Sequence, residues 1–349
     1  MMNEELKKQL RNRGICVVIP TYNNDKTIKT VVEKCLLYCD DVIVVTDGCT
    51  DRTTDILHAI DGITIVSYPQ NRGKGYALKM GFRKALEMGF SYAITLDGDG
   101  QHYPEDIPLF LKANQEYPQS LIIGSRQLEG VDRSKGSSFA NKFSNFWFYV
   151  QTGRALPDTQ TGYRLYPLHR LCGLSLLTSR YEAELELLVF ASWHGVKLVP
   201  IPVQVYYPPR NERVSHFRPG KDFARISVLN TVLCFLAVVY GLPLRLWRTL
   251  MTFLRTAYSL LFFLFFTLVV FTPFVWIYTK FGKMTERRRY RLHQLIYHAS
   301  RFVMIHHGIP GTKYEYKVAE GIDFNKPRII ICNHQSHLDL MCQLVFTPK

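Results

Sequence analysis

The sequence predicts an α/β fold: a mostly parallel sheet with helices on both faces, followed by apolar helices of the membrane type. Three observations predict it. Short runs rich in Val and Ile alternate with longer periodic segments from Ile15 to Gly124. Polar motifs fall just after those runs, where ligands bind in open parallel sheets. Beyond Arg225, two long stretches carry no charge.

The apolar runs are CVVIP (16–20), DVIVVT (41–46), ITIVS (63–67), YAITLD (92–97) and LIIGS (121–125). They are nearly continuous, as strands buried on both faces require. Helical patterns lie between them at 26–38, 51–60, 74–88 and 104–117. A β-α-β-α series of this kind gives a parallel sheet covered by helices. Residues 127–180 are less regular. An amphipathic stretch at 182–194 reads as a helix, 197–207 as a strand, and 208–223 as a polar loop closing the site.

The uncharged stretches run from Ile226 to Leu244 and from Thr256 to Thr279. At about 1.5 Å per residue both reach across a bilayer core, the first barely. Arg245, Arg248 and Arg255 separate them, and Lys280, Lys283, Arg287, Arg288, Arg289 and Arg291 follow the second. Cations on both sides of the second stretch fit a single crossing poorly. A hairpin returning to its starting side, or two helices in the interface plane, is expected instead. Buried core helices are the alternative.

Composition narrows the partners. With 47% hydrophobic and 21% charged residues, the chain can bury a sizeable core. The net charge of +14 sits largely beside the apolar stretches, which favours a membrane surface over nucleic acid. The eight cysteines include no C-x-x-C pair and are read as reduced thiols. The N-terminus has no apolar secretory segment, so the first domain is expected in the cytosol, on the cytoplasmic face of the inner or plasma membrane.

Asp97-Gly98-Asp99 ends the fourth strand. Two carboxylates one residue apart on a turn can both reach a divalent cation, and Mg²⁺ or Mn²⁺ commonly shares such ligands with a diphosphate. Other strand ends carry Pro20-Thr21-Tyr22-Asn23-Asn24, Thr46-Asp47-Gly48-Cys49-Thr50-Asp51 and Asn71-Arg72-Gly73-Lys74-Gly75. The last lacks the spacing of a nucleoside-triphosphatase phosphate loop. Together with Gln101-His102 after the D-x-D, the series resembles a family 2 glycosyltransferase of the GT-A fold. The polyprenyl- and dolichyl-phosphate sugar transferases are the most similar in character. The resemblance covers about residues 14–225.

It implies a nucleotide-sugar donor and roles by position. Pro20, Tyr22 and Asn23 line the base pocket, and Asp47 contacts base or ribose. Gly73 lets the backbone approach the donor, and Lys74 touches a phosphate. Asp97, Asp99 and Gln101 hold Mg²⁺ or Mn²⁺. Asp51 either caps the next helix or binds the donor. His102 is a ligand, a hydrogen-bond donor or a turn residue.

On the acceptor side, Asp158-Thr159-Gln160-Thr161-Gly162-Tyr163-Arg164 resembles a segment of the same transferases. A phosphate acceptor is already anionic and needs positioning cations, for which Arg126, Arg213 and His216 are the candidates. A hydroxyl acceptor needs a carboxylate base, in the order Glu184, Glu182, Asp158. The two glutamates otherwise complement a helix N-terminus, and Arg164 has Asp158 as a possible structural partner. The acceptor class, lipid-linked or polyprenyl phosphate, stays open.

Near the C-terminus, RIIIC (328–332) leads into Asn333-His334-Gln335-Ser336-His337-Leu338-Asp339. This N-H-x-x-x-x-D pattern resembles the start of a glycerolphosphate acyltransferase domain, with His334 as base and Asp339 orienting it. Only ten residues follow Asp339. The segment is therefore expected to be a truncated α/β piece, inert in acyl transfer. The expected organisation is a catalytic domain at 12–225, membrane-associated helices at 226–283 and a partial acyltransferase-like domain at 284–349. A lipid acyltransferase and a non-catalytic membrane-bound scaffold are the competing readings of function.

Overall fold

A computed structural model of the chain describes residues 2–126, 135–174, 176–206 and 219–307. Arg213, His216, His334 and Asp339 lie outside them. The chain divides into two compact units, Met1–Arg245 and Leu246–Lys349.

The first unit is built on a seven-stranded sheet: β1 (Ile15–Thr21), β2 (Val42–Asp47), β3 (Ile63–Tyr68), β4 (Tyr92–Thr95), β5 (Leu121–Arg126), β6 (Arg164–Pro167) and β7 (Leu198–Val203). Their order in the sheet is β3-β2-β1-β4-β6-β5-β7. The helices of this unit are α1 (Met2–Asn12), α2 (Ile28–Tyr38), α3 (Thr53–His58), α4 (Lys74–Glu87), α5 (Ile107–Glu116), α6 (Lys135–Thr152), α7 (Leu168–Leu171), α8 (Glu182–Trp193) and α9 (Pro219–Leu236).

Side-chain alternation along β1 divides the core in two. Ile15, Val17 and Ile19 pack with α2 and α5 residues such as Val32, Cys35 and Phe110. Cys16 and Val18 pack on the other face with Ala77 of α4, Leu188 of α8 and Leu229 of α9. Every residue of β1 and β2 is buried, which is why their sequences run apolar rather than alternating up to the polar residues at their carboxyl ends. The edge strand β3 is half-exposed. The other edge, β7, carries Pro200 and Pro202, which a central strand does not accommodate. Full burial of a Val or Ile contributes about 1.5–3 kcal/mol, so the two faces together hold the domain.

The six expected strands are present as β1–β5 and β7, and the sheet is mostly parallel as expected. The irregular stretch 127–180 holds more than expected: the long helix α6 and the strand β6. β6 runs antiparallel between β4 and β5, with Thr95 opposite Arg164 and Ile123 opposite the same residue. The helix α8 is not amphipathic. Eleven of its residues are buried, Glu182, Glu184 and Glu186 among them. Six cysteines, Cys16, Cys35, Cys39, Cys49, Cys172 and Cys234, are free thiols.

The chain makes no turn between the two uncharged stretches. α9 passes through a π-helical turn at Ala237–Gly241 into α10 (Leu242–Phe265), then through a second at Phe266–Phe271 into α11 (Thr272–Lys280). One helix of 57 residues, Ala224–Lys280, is long and apolar enough to cross a membrane by length and composition. It replaces the expected hairpin or pair of separate helices. Each π turn precedes a proline, Pro243 or Pro273, and the wider turn absorbs the missing N–H that would otherwise break the helix. Arg245, Arg248 and Arg255 are good helix formers and do not interrupt it. α12 (Glu286–His307) follows.

The sequence order of the strands reverses direction between β1 and β4. Ligands of open α/β sheets bind at such a switch point, beyond the carboxyl ends of the strands. A cleft of about 590 Å³ lies there, lined by Asn23, Thr27, Lys34, Asp99, Gln101 and His102 among others.

Candidate active site

The loops that end β1 and β2 are tied together by Asn23. Its Oδ1 accepts from the Thr50 amide at 2.9 Å, and its Nδ2 donates to Thr50 Oγ1 at 3.1 Å. Asn23 takes a positive φ of 52°, a conformation Asn tolerates better than most residues. Pro20 lies within β1 itself, buried opposite Val45, while Tyr22 is half-exposed just past the strand. Asp51 accepts from the amide of Thr53, the first residue of α3, at 3.0 Å. Its Oδ2 accepts from the Asp25 amide at 3.1 Å, so Asp51 ties the two loops together from just outside the α3 N-terminus, a structural role.

Asp47 ends β2, and both its carboxylate oxygens are used. They accept from the backbone amides of Arg72 (2.7 Å) and Gly73 (2.8 Å). These bonds fix the entry into α4. Gly73 has φ +96°, and a Cβ there would stand 2.6 Å from Arg180 Cγ. Only glycine suits both constraints.

The next residue, Lys74, is the centre of the site. Its Nζ lies 2.7 Å from Asp97 Oδ1 and 2.8 Å from Glu184 Oε2. One ammonium thus joins the end of β4 to the first turn of α8. Burial alone would lower the Lys74 pKa, but Asp97 and Glu184 raise it, so it stays charged. Burial likewise works to raise Asp97, yet Lys74, with His102 and Arg164, holds it below the ordinary carboxylate value. Asp99 behaves oppositely. Burial and the neighbouring Asp97 charge push it up to about 6, and Lys74 offsets them only in part. Asp99 Oδ1 accepts from the Gln101 amide at 3.0 Å. His102 is buried and pushed down to about 4 by burial. Its Nε2 is 3.9 Å from Asp97 Oδ2, and its buried Nδ1 has no partner among the described residues.

The segment 158–164 is anchored from three directions. Arg126, at the end of β5, forms a forked pair with Asp158: Nε to Oδ2 at 2.6 Å and Nη2 to Oδ1 at 3.0 Å. α6 holds Thr159 through Ser144 Oγ (2.7 Å) and Asn145 Oδ1 (3.0 Å). Arg164, fully buried on β6, donates to the carbonyls of Thr159 (2.8 Å) and Glu184 (2.9 Å). Asp158 therefore pairs with Arg126 rather than with Arg164, because the Arg164 guanidinium is already committed to main-chain oxygens. Gly162 completes the closure. Thr95 Oγ1 donates to its carbonyl at 2.7 Å, and a Cβ on it would stand 2.7 Å from Lys74 Nζ.

Comparison with known proteins decides what this constellation belongs to. Residues 16–166 match the family described as glycosyl transferase family 2. An uncharacterised protein of Methanocaldococcus jannaschii is 30% identical over 218 residues, 58% of this chain and 88% of that one. The chain belongs to glycosyl transferase family 2. It is a glycosyltransferase. The UDP-N-acetylglucosamine–dolichyl-phosphate N-acetylglucosaminyltransferase of Methanococcus voltae is 29% identical, over 57% of this chain and 88% of its own. Among solved structures, glucosyl-3-phosphoglycerate synthase from Mycobacterium tuberculosis, in complex with Mn²⁺, UDP and phosphoglyceric acid, shares the fold. Its TM-score is 0.51 at 19% identity, covering 67% of this chain and 82% of that one.

In this family 2 chain, the structure brings Lys74, Asp97 and Glu184 into one cluster, with Asp99 and Gln101 on the adjoining turn. Arg126 sits with Asp158 on the neighbouring segment. Among the described residues no three His, Cys, Asp or Glu side chains converge as a ready metal site. The donor set nonetheless suits a shared cation. Asp99 is a carboxylate with no ion pair among the described residues, and it lines the cleft together with Gln101. Sequence reasoning named Arg164 but offered Asp158 as its partner, where the structure gives it main-chain carbonyls. It missed Glu186, which accepts from the Thr178 amide (2.9 Å) and hydroxyl (2.6 Å), fixing the segment before α8. Three glutamates at i, i+2 and i+4 of an otherwise apolar helix were the available signal, since that spacing cannot keep all of them on a solvent face.

Proposed function

We propose that this chain is a metal-dependent inverting glycosyltransferase, moving a sugar from a nucleotide-diphospho-sugar to a lipid-linked, polyprenyl-phosphate-type acceptor at the membrane. The observation that carries this reading is the Lys74–Asp97–Glu184 cluster beside Asp99 at the switch point of the sheet. The dolichyl-phosphate acceptor in the name of the Methanococcus voltae relative supports the acceptor class, and the apolar helix supports the membrane setting.

Tyr22, Asn23 and Asp47 stand at the nucleoside end. Asp97, Asp99 and Gln101 would hold Mg²⁺ or Mn²⁺, with Asp99 the ligand most in need of it. Bound there, the cation neutralises charge developing on the nucleoside diphosphate leaving group. Lys74 fixes Asp97 and Glu184 relative to each other, so the donor meets a preset geometry. Glu184 Oε1 is buried and has no hydrogen-bond partner among the described residues, while Oε2 is held by Lys74. A hydroxyl acceptor would give its proton to that carboxylate. A phosphate acceptor is already a nucleophile and would meet the Arg126 side, with Arg213 and His216 as further cations. In either case attack on the anomeric carbon opposite the leaving group inverts it.

The test is donor binding and hydrolysis by purified protein in detergent, with a panel of UDP- and GDP-sugars, with and without Mn²⁺. Metal-dependent binding of one donor, lost in Asp97→Ala, is expected. Folded protein that binds none of them would overturn the transferase reading.

A further inference from the structure

The segment 158–164 rests on α6, and the opposite side of α6 is apolar and exposed. Phe139, Phe146 and Tyr149 are each more than half exposed. Their spacing, i, i+7 and i+10, puts them on one helical stripe. α9 and its π turn repeat the pattern: Val228, Phe235 and Val238, at the same spacing, are about two-thirds exposed. The two helices belong to the same compact unit and are joined by a buried polar clasp. Gln151 Nε2 donates to Asn230 Oδ1 at 3.0 Å, and Trp193 Nε1 of α8 donates to the Gln151 carbonyl at 2.9 Å. Leu229 and Leu233 bury the inner side of α9 in the core. Two adjacent helices thus turn aromatic and aliphatic stripes outward from a well-seated base. Exposed apolar stripes on neighbouring helices of one unit mark a docking site.

We propose that α6 and α9 form a bilayer-docking surface on the catalytic unit, through which the segment 157–161 is held at the lipid surface. Two features favour a bilayer over another protein. Among the described side chains of these helices the charged ones are Lys142 and Arg225, both exposed cations suited to phospholipid headgroups. The chain also continues from α9 without a break into the apolar helix that ends at Lys280. α6 then has two working sides. One holds Thr159 through Ser144 and Asn145, and the other meets lipid. An acceptor with its tail in the bilayer would present its head beside the Arg126–Asp158 pair. That last consequence rests on the proposed acceptor class, whereas the docking surface itself does not.

The test uses the full chain in nanodiscs of phosphatidylcholine and phosphatidylglycerol. Phe146, Tyr149, Phe235 and Val238 are replaced one at a time by the photocrosslinker p-benzoylphenylalanine. Leu37, an exposed apolar residue of α2 on the other side of the sheet, is the control. Lipid adducts at the four positions are expected at roughly ten times the Leu37 yield, as for side chains immersed in the headgroup and acyl boundary. Adducts at the Leu37 level, or crosslinks to a second copy in place of lipid, would overturn the proposal. Donor binding measured on the same samples separates this outcome from failure of the transferase reading.

Discussion

The strand-end cluster and the α6–α9 face depart from an ordinary soluble protein in opposite directions. In the cluster, charges are buried: Lys74 bridges two carboxylates, and the Arg164 guanidinium is fully enclosed. On the helices, aromatic and aliphatic side chains stand in the open. The Lys74 bridge is stable only because its charges offset one another, so losing one partner is costly. The α6–α9 face is indifferent to loss, since its side chains make few contacts within the unit. Sensitivity to substitution therefore separates a site that recognises from a surface that docks.

The largest effect is expected for Asp99→Ala. If Asp99 holds the cation, transfer falls on the order of a thousandfold, equivalent to several kcal/mol of lost charge stabilisation. Near-normal turnover in a donor-saturated assay would remove Asp99 from the metal site. Next comes Lys74→Met, which leaves Asp97 and Glu184 facing each other unneutralised. A loss of about 3 kcal/mol in unfolding free energy is expected, with part regained in the double variant carrying Glu184→Gln. Equal stability of the single variant and the parent would break the comparison at its polar end.

Metal and pH give a smaller effect with a definite sign. The folded-state pKa of Asp99 is raised to about 6 from 3.8, so between those values the folded protein binds the extra proton and its stability falls as pH rises. A cation competes with that proton. The rise in Tm produced by Mn²⁺ with a nucleoside diphosphate should thus be greater at pH 7 than at pH 5, and Asp99→Asn should flatten the difference. The smallest effect is expected for Phe146→Ser combined with Phe235→Ser. Unfolding free energy in detergent should change by no more than about 0.5 kcal/mol per site, the usual range for exposed positions. A much larger loss would mean that these side chains support the fold.

How far the sequence disclosed this arrangement follows from the same contrast. β1, β2, β4 and β5 announced themselves because strands buried on both faces must be apolar throughout. β6 did not, since it is four residues long and opens with a buried arginine whose charge reads as surface. α6 was obscured for a related reason: its inward side carries Asn141, Ser144 and Gln151, and its outward side carries phenylalanines, the reverse of a soluble helix. The turn residues of the site were legible from spacing, because Asp97, Asp99 and Gln101 lie within one loop. The Lys74–Glu184 contact spans elements far apart in sequence, and no local pattern encodes it. The two uncharged stretches were visible, but the helical path between them depended on how the π turns accommodate Pro243 and Pro273.

Gly162 sets a practical limit for anyone redesigning what this enzyme transfers. Its carbonyl is held by Thr95, and its α-carbon faces Lys74 and Asp97 with no room for a methyl group. A library that varies residues 158–164 to test the proposed acceptor role would find Gln160, the one exposed residue of the seven, the most negotiable and this one closed. Any side chain there would act as a wedge between the lysine and its aspartate. Random mutagenesis should therefore return inactive clones at codon 162 whatever the acceptor offered, which makes that codon an internal standard for how thoroughly such a library has been sampled.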